Sequence, residues 1–297
     1  TGLAPSATVG SISGTTADRT QAGRLFAVTD SVYATTRILQ IDTNFTPALI
    51  TNAMTVTKDG KPVGYDGEGI AQRADGGFWL ASEGDPDKKP APLRNRLLRL
   101  NAKAEVQEDI ELPEALARHA TRFGFEGVTI TGAGDQEVVW LAVQRGWKDD
   151  PKGFTKILRY TPASKTWGVL HYPLEATKAE GGWVGLSEIT AVGPDNFVVV
   201  ERDNQFGDQA LKTLHTFSVA GLTPAAPGDA KVPVVAKRLL RNLVPDLQNP
   251  HGYVLDKVES FAVDSAGQAF AITDNDGVDG SNGETQLLRL GVLSGLK

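Results

Sequence analysis

Apolar positions along this chain fall in short, nearly unbroken runs rather than at helical spacing, and the runs recur. One reads Leu25-Phe-Ala-Val-Thr-Asp30; it returns as Phe78-Trp-Leu-Ala-Ser-Glu83 and as Val139-Trp-Leu-Ala-Val-Gln144. The fourth and fifth copies are Phe197-Val-Val-Val-Glu201 and Ala269-Phe-Ala-Ile-Thr-Asp274. β-Branched and aromatic residues dominate, with little polar alternation, which is the pattern of a strand buried on both faces.

A second element precedes each run: Glu68-Gly-Ile-Ala, Glu126-Gly-Val-Thr, Ser187-Glu188-Ile-Thr and Glu259-Ser-Phe-Ala, with Ser13-Gly-Thr-Thr as a weaker first copy. The two are joined by turns such as Ala74-Asp-Gly-Gly77, a hairpin signal. A third element follows, as in Arg37-Ile-Leu-Gln-Ile, Arg96-Leu-Leu-Arg-Leu, Lys156-Ile-Leu-Arg-Tyr, Leu214-His-Thr-Phe and Gln286-Leu-Leu-Arg-Leu. Fourth strands are expected at 48–56, 104–110, 166–172 and 233–239. The fifth unit has no room for one, so residues 4–10 are expected to supply it beside the Gln286 strand. Four antiparallel strands repeated radially make a propeller. The chain is therefore read as all-β: a single β-propeller domain, 1–297, of five four-stranded antiparallel blades closed by the N-terminal strand, with a sixth blade left open. Short helices are expected at 113–121 and 238–243.

Composition narrows the function. A net charge of −6 without a basic stretch argues against a nucleic-acid partner. The absence of cysteine removes disulfides, thiolate catalysis and Cys-bound zinc. No apolar run approaches the roughly 18 residues of a membrane span, so a soluble monomer is expected. The start at Thr1 is read as the processed form of a longer precursor.

In each unit the first strand begins where the second ends. Glu68, Glu126, Glu188 and Glu259 should therefore meet Asp30, Glu83, Gln144, Glu201 and Asp274 at one mouth of the central channel. Such a ring is costly unless cations or arginines compensate it. Arg145 and Arg202, each directly after a second-strand terminal residue, are the expected compensators and anion holders. The run Asp274-Asn-Asp276-Gly-Val-Asp279-Gly resembles a calcium loop, with oxygen donors every two or three residues. Glu126, Glu188, Glu201, Arg202, Arg145 and His251 are the candidate catalytic residues. Glu68, Glu259, Asp30, Glu83, Asp274, Asp276 and Asp279 are the candidate calcium ligands. The plainer alternatives are a ring that only ties blades together, a polar turn at 274–280, and a solvated loop histidine. Neither Gly-x-Ser-x-Gly nor His-Glu-x-x-His occurs, so hydrolysis would rest on metal and carboxylates.

Glu68-Gly-Ile-Ala, Gly124-Phe-Glu-Gly-Val-Thr, Leu186-Ser-Glu-Ile, Val200-Glu-Arg-Asp203 and Thr273-Asp-Asn-Asp276 together resemble the bacterial phytase-like, or "esterase-like activity of phytase", family. The resemblance spans about residues 13–290. It implies an exported propeller, periplasmic or secreted, acting on phosphate or other esters of a small-molecule substrate. Well-characterised β-propeller phytases are six-bladed calcium enzymes whose lysines and arginines grip phosphate; here only Lys148 and Lys152 lie near the mouth, which favours a less charged ester than phytate. A lactonase-like propeller enzyme and a non-catalytic binding propeller are the alternatives.

Overall fold

The two-sided apolar runs become the second strands of five radial sheets. The computed structural model describes residues 11–177, 179–252, 254, 255, 257–275 and 285–296, with the backbone alone at 250 and 251. Blade one comprises Ile12–Ala17, Arg24–Thr29, Arg37–Asp42 and Leu49–Thr55. Blade two comprises Gly67–Gln72, Phe78–Ser82, Arg96–Leu100 and Val106–Glu111. Blade three follows with Phe125–Thr131, Val138–Val143, Phe154–Thr161 and Thr166–Pro173. Blade four has Val184–Ala191, Asn196–Asp203, Lys212–Ser218 and Lys237–Asn242. Blade five has Val258–Val263, Gln268–Thr273 and Leu287–Val292. Every pairing within a blade is antiparallel, and first strands pack on one another in cyclic order, the fifth on the first. This is a five-bladed β-propeller. The expected closing strand at 4–10 lies outside the described residues.

Five apolar clusters lie one at each blade-to-blade interface. Phe26 and Val28 face blade two, whereas Leu25 and Ala27 of the same strand face blade five. That division is why the runs show no polar alternation. Aromatic pairs cross three interfaces: Phe26 with Phe78 at 5.2 Å, Trp79 with Tyr160 at 6.2 Å and Trp140 with Phe197 at 5.1 Å between ring centroids.

Three local expectations are corrected. Residues 237–242 are a strand rather than a helix, and the helix is Val244–His251, with Pro245 in its first turn and Gly252 left-handed at its end. Residues 233–235 serve blade three, where the His171 amide donates to the Pro233 carbonyl and the His171 carbonyl accepts from the Val235 amide, so blade four's outer strand begins only at Lys237. The helix expected at 113–121 shrinks to Glu114–Ala117. No helix among the described residues is long and apolar enough to cross a membrane.

The narrowest part of the channel explains the repeated glycine after the glutamate. A Cβ at Gly69 would sit 2.3 Å from the Glu126 carbonyl oxygen, and one at Gly127 would sit 2.3 Å from the Ile189 nitrogen. Gly14 is equally confined, 2.6 Å from the Glu68 carbonyl oxygen. Inner strands thus approach backbone to backbone. Each inner strand also carries a register shift at this level, between Gly67 and Gly69 in blade two and at the matching place in the other four. Such bulges bend a strand and re-aim its side chains.

Gly69→Ala is expected to cost at least about 1–3 kcal/mol from overpacking, measured by urea unfolding. Ser260 occupies the matching position in blade five, and its buried hydroxyl has no hydrogen-bond partner. Ser260→Ala should therefore be neutral or mildly stabilising. Equal midpoints for Gly69→Ala and wild type would refute the close-approach account.

Candidate functional site

Strand pairing fixes which residues face the mouth. The partners on the mouth side of each register shift are Ile12 with Thr29, Gly67 with Ser82, Phe125 with Val143, Leu186 with Glu201, and Val258 with Thr273; in blade four the pairing runs on to Gly185 with Arg202 and Val184 with Asp203. The next residue on each first strand is Ser13, Glu68, Glu126, Ser187 or Glu259. The next on each second strand is Asp30, Glu83, Gln144, Arg202 or Asp274. These positions form the ring. Blade four carries an inversion: where the others place an acid or amide it has Arg202, and where three have Glu it has Ser187.

Two sequence-based assignments change as a result. Glu201 stands one residue short of the ring, and a one-residue step in a strand turns the side chain to the opposite face. It is buried toward blade three, accepting hydrogen bonds from the Tyr172 hydroxyl (2.8 Å), Lys237 Nζ (2.7 Å) and the Glu175 amide, with His215 Nδ1 3.3 Å away. It is a strut between blades, not a mouth residue. Glu188 stands one residue beyond the ring, at the level of Gly69 and Gly127. Fully buried, it crosses the channel to accept from the Thr15 amide at 3.1 Å and from the Ile189 amide at 3.0 Å.

At each seam a second-strand residue meets the entry of the next blade. Glu83 Oε1 accepts from the Gly124 amide at 2.7 Å, and the Gln144 backbone oxygen accepts from the Leu186 amide at 2.9 Å. Arg202 donates to Ser187 Oγ (2.8 Å) and to Glu259 Oε1 (2.5 Å), bridging blades four and five. Asn275 Oδ1 accepts from the Ser11 amide at 2.9 Å, while the neighbouring Asp274, buried, lies 3.7 Å from Lys257 Nζ. The seam between blades one and two differs, because Asp30 meets Asp66 there. One oxygen from each of Asp30, Asp66 and Glu68 lies within 4.8 Å of the other two. This is a carboxylate triplet of hard oxygen donors, and sequence reading missed Asp66 although it stands two residues before Glu68.

Electrostatics follow from this crowding. Burial, then the Asp30, Glu83 and Asp66 charges, push the Glu68 carboxyl well above its ordinary value. Burial, with Asp66 and Glu259 nearby, raises Glu83 to about 8 despite the Gly124 amide. Asp66 rises to about 6 through burial and its hydrogen bond with Asp30. Burial and Glu68 raise Glu126, whose Oε1 also accepts from Gln144 Nε2. Burial raises Glu188 as well. Glu259 alone among the ring glutamates falls: burial opposes ionisation, but Arg202 and Lys257 outweigh it. Its second oxygen, Oε2, is buried without a hydrogen-bond partner among the described residues.

A cleft of about 570 Å³ opens on this seam, lined by Tyr33, Tyr65, Asp66, Glu83, Lys88 and Arg96 among others. A second cavity, about 260 Å³, lies at the far end of the channel; its hydroxyls on Thr16, Thr129 and Thr190 already hold backbone groups. The acidic end is the chemically equipped one.

The remaining expectations separate cleanly. Arg145 is at the mouth but pairs with no carboxylate among the described residues; its guanidinium lies over the rings of Phe123 (4.1 Å) and Trp183 (5.0 Å). Asp276 and Asp279 lie outside the described residues, as does the side chain of His251, which ends a helix rather than sitting in a loop. Acidic residues at or after the ends of the second strands of blades three and four are tied to lysines. Asp149 and Asp150 hold buried Lys156, at 2.8 Å and 2.5 Å, and Asp203 holds buried Lys212 at 3.0 Å.

The family model described as "Phytase-like: Esterase-like activity of phytase" matches residues 7–277. The chain belongs to this phytase-like family. None of the curated proteins matches it. Among solved structures, virginiamycin B lyase from Staphylococcus aureus aligns at a TM-score of 0.42 and 10% identity, covering 91% of this chain and 64% of that one. Bombyx mori GH32 β-fructofuranosidase aligns at 0.45 and 12%, covering 89% and 55%. Penicillium chrysogenum α-L-arabinanase aligns at 0.44 and 9%, covering 93% and 80%. The phytase-like chain thus spans less than two thirds of the first two, and its assignment rests on the family match alone.

A pH dependence follows for the phytase-like propeller. Glu83 and Asp66 have folded-state values above their ordinary 4.5 and 3.8, so the folded state binds their protons more tightly than the unfolded state does. The stability they contribute is present below the ordinary values and is lost as pH rises through about 6 and about 8. In chelator, the melting temperature should fall between pH 5.5 and 8.5, and Glu83→Gln should flatten the upper part of that decline. A rise over this range, or an unchanged slope in Glu83→Gln, would count against the crowding.

Proposed function

We propose that this phytase-like propeller is a calcium-dependent ester hydrolase, phosphate esters included, working at the acidic channel mouth on a small-molecule substrate. The observation that supports the reading most is the seam where Asp30, Asp66 and Glu68 converge and, among the described residues, form no ion pair with a guanidinium or ammonium. Three carboxylates suit a hard cation that takes oxygen ligands. Asp30, Asp66 and Glu68 would hold it. Bound there, it would neutralise the cluster and polarise a substrate oxygen as a Lewis acid.

The protein's own groups then divide the work. The cleft beside the triplet admits the substrate, with Tyr33 and Tyr65 on its wall. Glu83, on the same wall, is protonated at neutral pH in the metal-free cluster; with calcium bound it would lose that proton, and its carboxylate would take one from the attacking water. Arg202 keeps Glu259 ionised and fixes blades four and five, which sets the opposite rim. Export to the periplasm or beyond is part of the proposal, since oxygen-only sites of this kind fill at the higher calcium levels found outside cells.

Calcium at about 100 times its Kd should raise stability by about 2.7 kcal/mol, read as an upward melting shift that chelator reverses. Asp30→Asn with Asp66→Asn should abolish the shift, whereas Asp274→Asn should retain it. Activity is measured on aryl phosphates, aryl carboxylic esters and lactones, with and without calcium. Calcium-stimulated turnover of either ester class, lost in the double variant by roughly 100-fold or more, is expected. Turnover of lactones alone would favour a lactonase. No calcium shift and no turnover would leave a binding propeller.

A further inference from the structure

Beside the acidic mouth lies a cationic and aromatic group that the hydrolase reading does not use. Phe123 precedes the first strand of blade three, Arg145 follows its second, and Trp183 stands just before the first strand of blade four. The Arg145 guanidinium carbon is 4.1 Å from the Phe123 centroid and 5.0 Å from that of Trp183, and Arg122 lies 4.9 Å from the same Phe123 ring. Arg202 also packs on Trp183, at 5.2 Å, while it holds Glu259.

The two arginines near Trp183 therefore behave differently. Arg202 has Ser187 and Glu259 as partners. Arg145 is half-buried between rings, and among the described residues neither it nor Arg122 forms an ion pair, although the protein carries a net charge of −6. Ring stacking covers the flat faces of a guanidinium but leaves its in-plane N–H donors to be satisfied. Burial and the like charge of Arg122 both lower the Arg145 pKa, so the pair is electrostatically unfavourable as it stands. A bidentate oxyanion relieves both penalties, because carboxylate and phosphate oxygens match the guanidinium fork. The rings of Phe123 and Trp183 add an apolar shelf for the carbon skeleton.

We propose that Arg145 and Arg122, on the Phe123–Trp183 shelf, form a subsite for the oxyanion of a small organic molecule, a phosphate or carboxylate group carried on a planar or alkyl body. The proposal rests on the hydrolase reading for its consequence only: it narrows the substrate to esters that bear a separate anionic group. Binding itself does not depend on turnover.

The test is therefore run in chelator, by calorimetry and tryptophan fluorescence, with phenyl phosphate and benzoate as probes and benzyl alcohol as the neutral control. Wild type should bind at least one of the two anions and not the alcohol, and the stronger of the two identifies the oxyanion. Arg145→Gln should weaken that binding by roughly tenfold or more, the loss of one charge-assisted bidentate contact. Arg145→Lys should recover only part, since an ammonium lacks the fork. Arg122 is exposed, so Arg122→Gln should fold normally and weaken binding about threefold. Trp183→Phe should remove most of the fluorescence response. Failure of wild type to bind either anion, equal affinity for benzyl alcohol, or unchanged affinity in both arginine variants would overturn the subsite. Anion binding without turnover of any ester would retain the subsite and reject the hydrolase reading.

Discussion

Five inner strands share one axis, and at the level of Gly14, Gly69 and Gly127 there is no room for a side-chain carbon between one backbone and the next. Everything at the mouth follows from that contact. It draws the strand starts into a tight circle, and the register shift in each inner strand then turns the residue just before the glycine level toward the opening. Side chains on neighbouring blades that would be independent in a wide channel become neighbours. Glu68 thus feels the charges of Asp30, Glu83, Asp66 and Glu259, residues from three different blades.

The blades answer this crowding in different ways. Amides meet carboxylates where blades two and three join, and a guanidinium does so where four meets five. At the first seam Asp30 faces Asp66, and protons do what a cation would do elsewhere. A structural ring has no need of that arrangement, since the fourth blade shows that arginine fits the same position. Like charges gathered in a cleft, with displaced titration, make this seam the candidate site on which the proposed function rests.

How legible this was in the sequence depended on where the chain recorded its phase. Blades were readable because both faces of each second strand are buried, which leaves an apolar run with acidic punctuation. The same property hid the register of blade four. In Val198-Val199-Val200 nothing distinguishes one face from the other, so Glu201 reads as the ring residue when Arg202 is. Glu188 was displaced in the same way by the Ser187-Glu188 pair. Residues 233–239 read as one outer strand, yet their first part joins blade three and their second blade four, a division made by tertiary pairing alone. Asp66 carried a usable signal, a second carboxylate across one glycine from Glu68. The Phe123–Arg145–Trp183 contacts carried none, because they join loops of two blades far apart in the chain.

In the proposed site, protons and a divalent cation would compete for one set of crowded carboxylates. Calorimetric titration of calcium at pH 7 in two buffers of different ionisation enthalpy measures the protons released per ion bound. A net release is expected, because groups such as Glu83 hold protons at that pH and lose them as positive charge enters the cluster. Binding with no proton release, or release that persists unchanged when Asp30 and Asp66 are both replaced by asparagine, would contradict it.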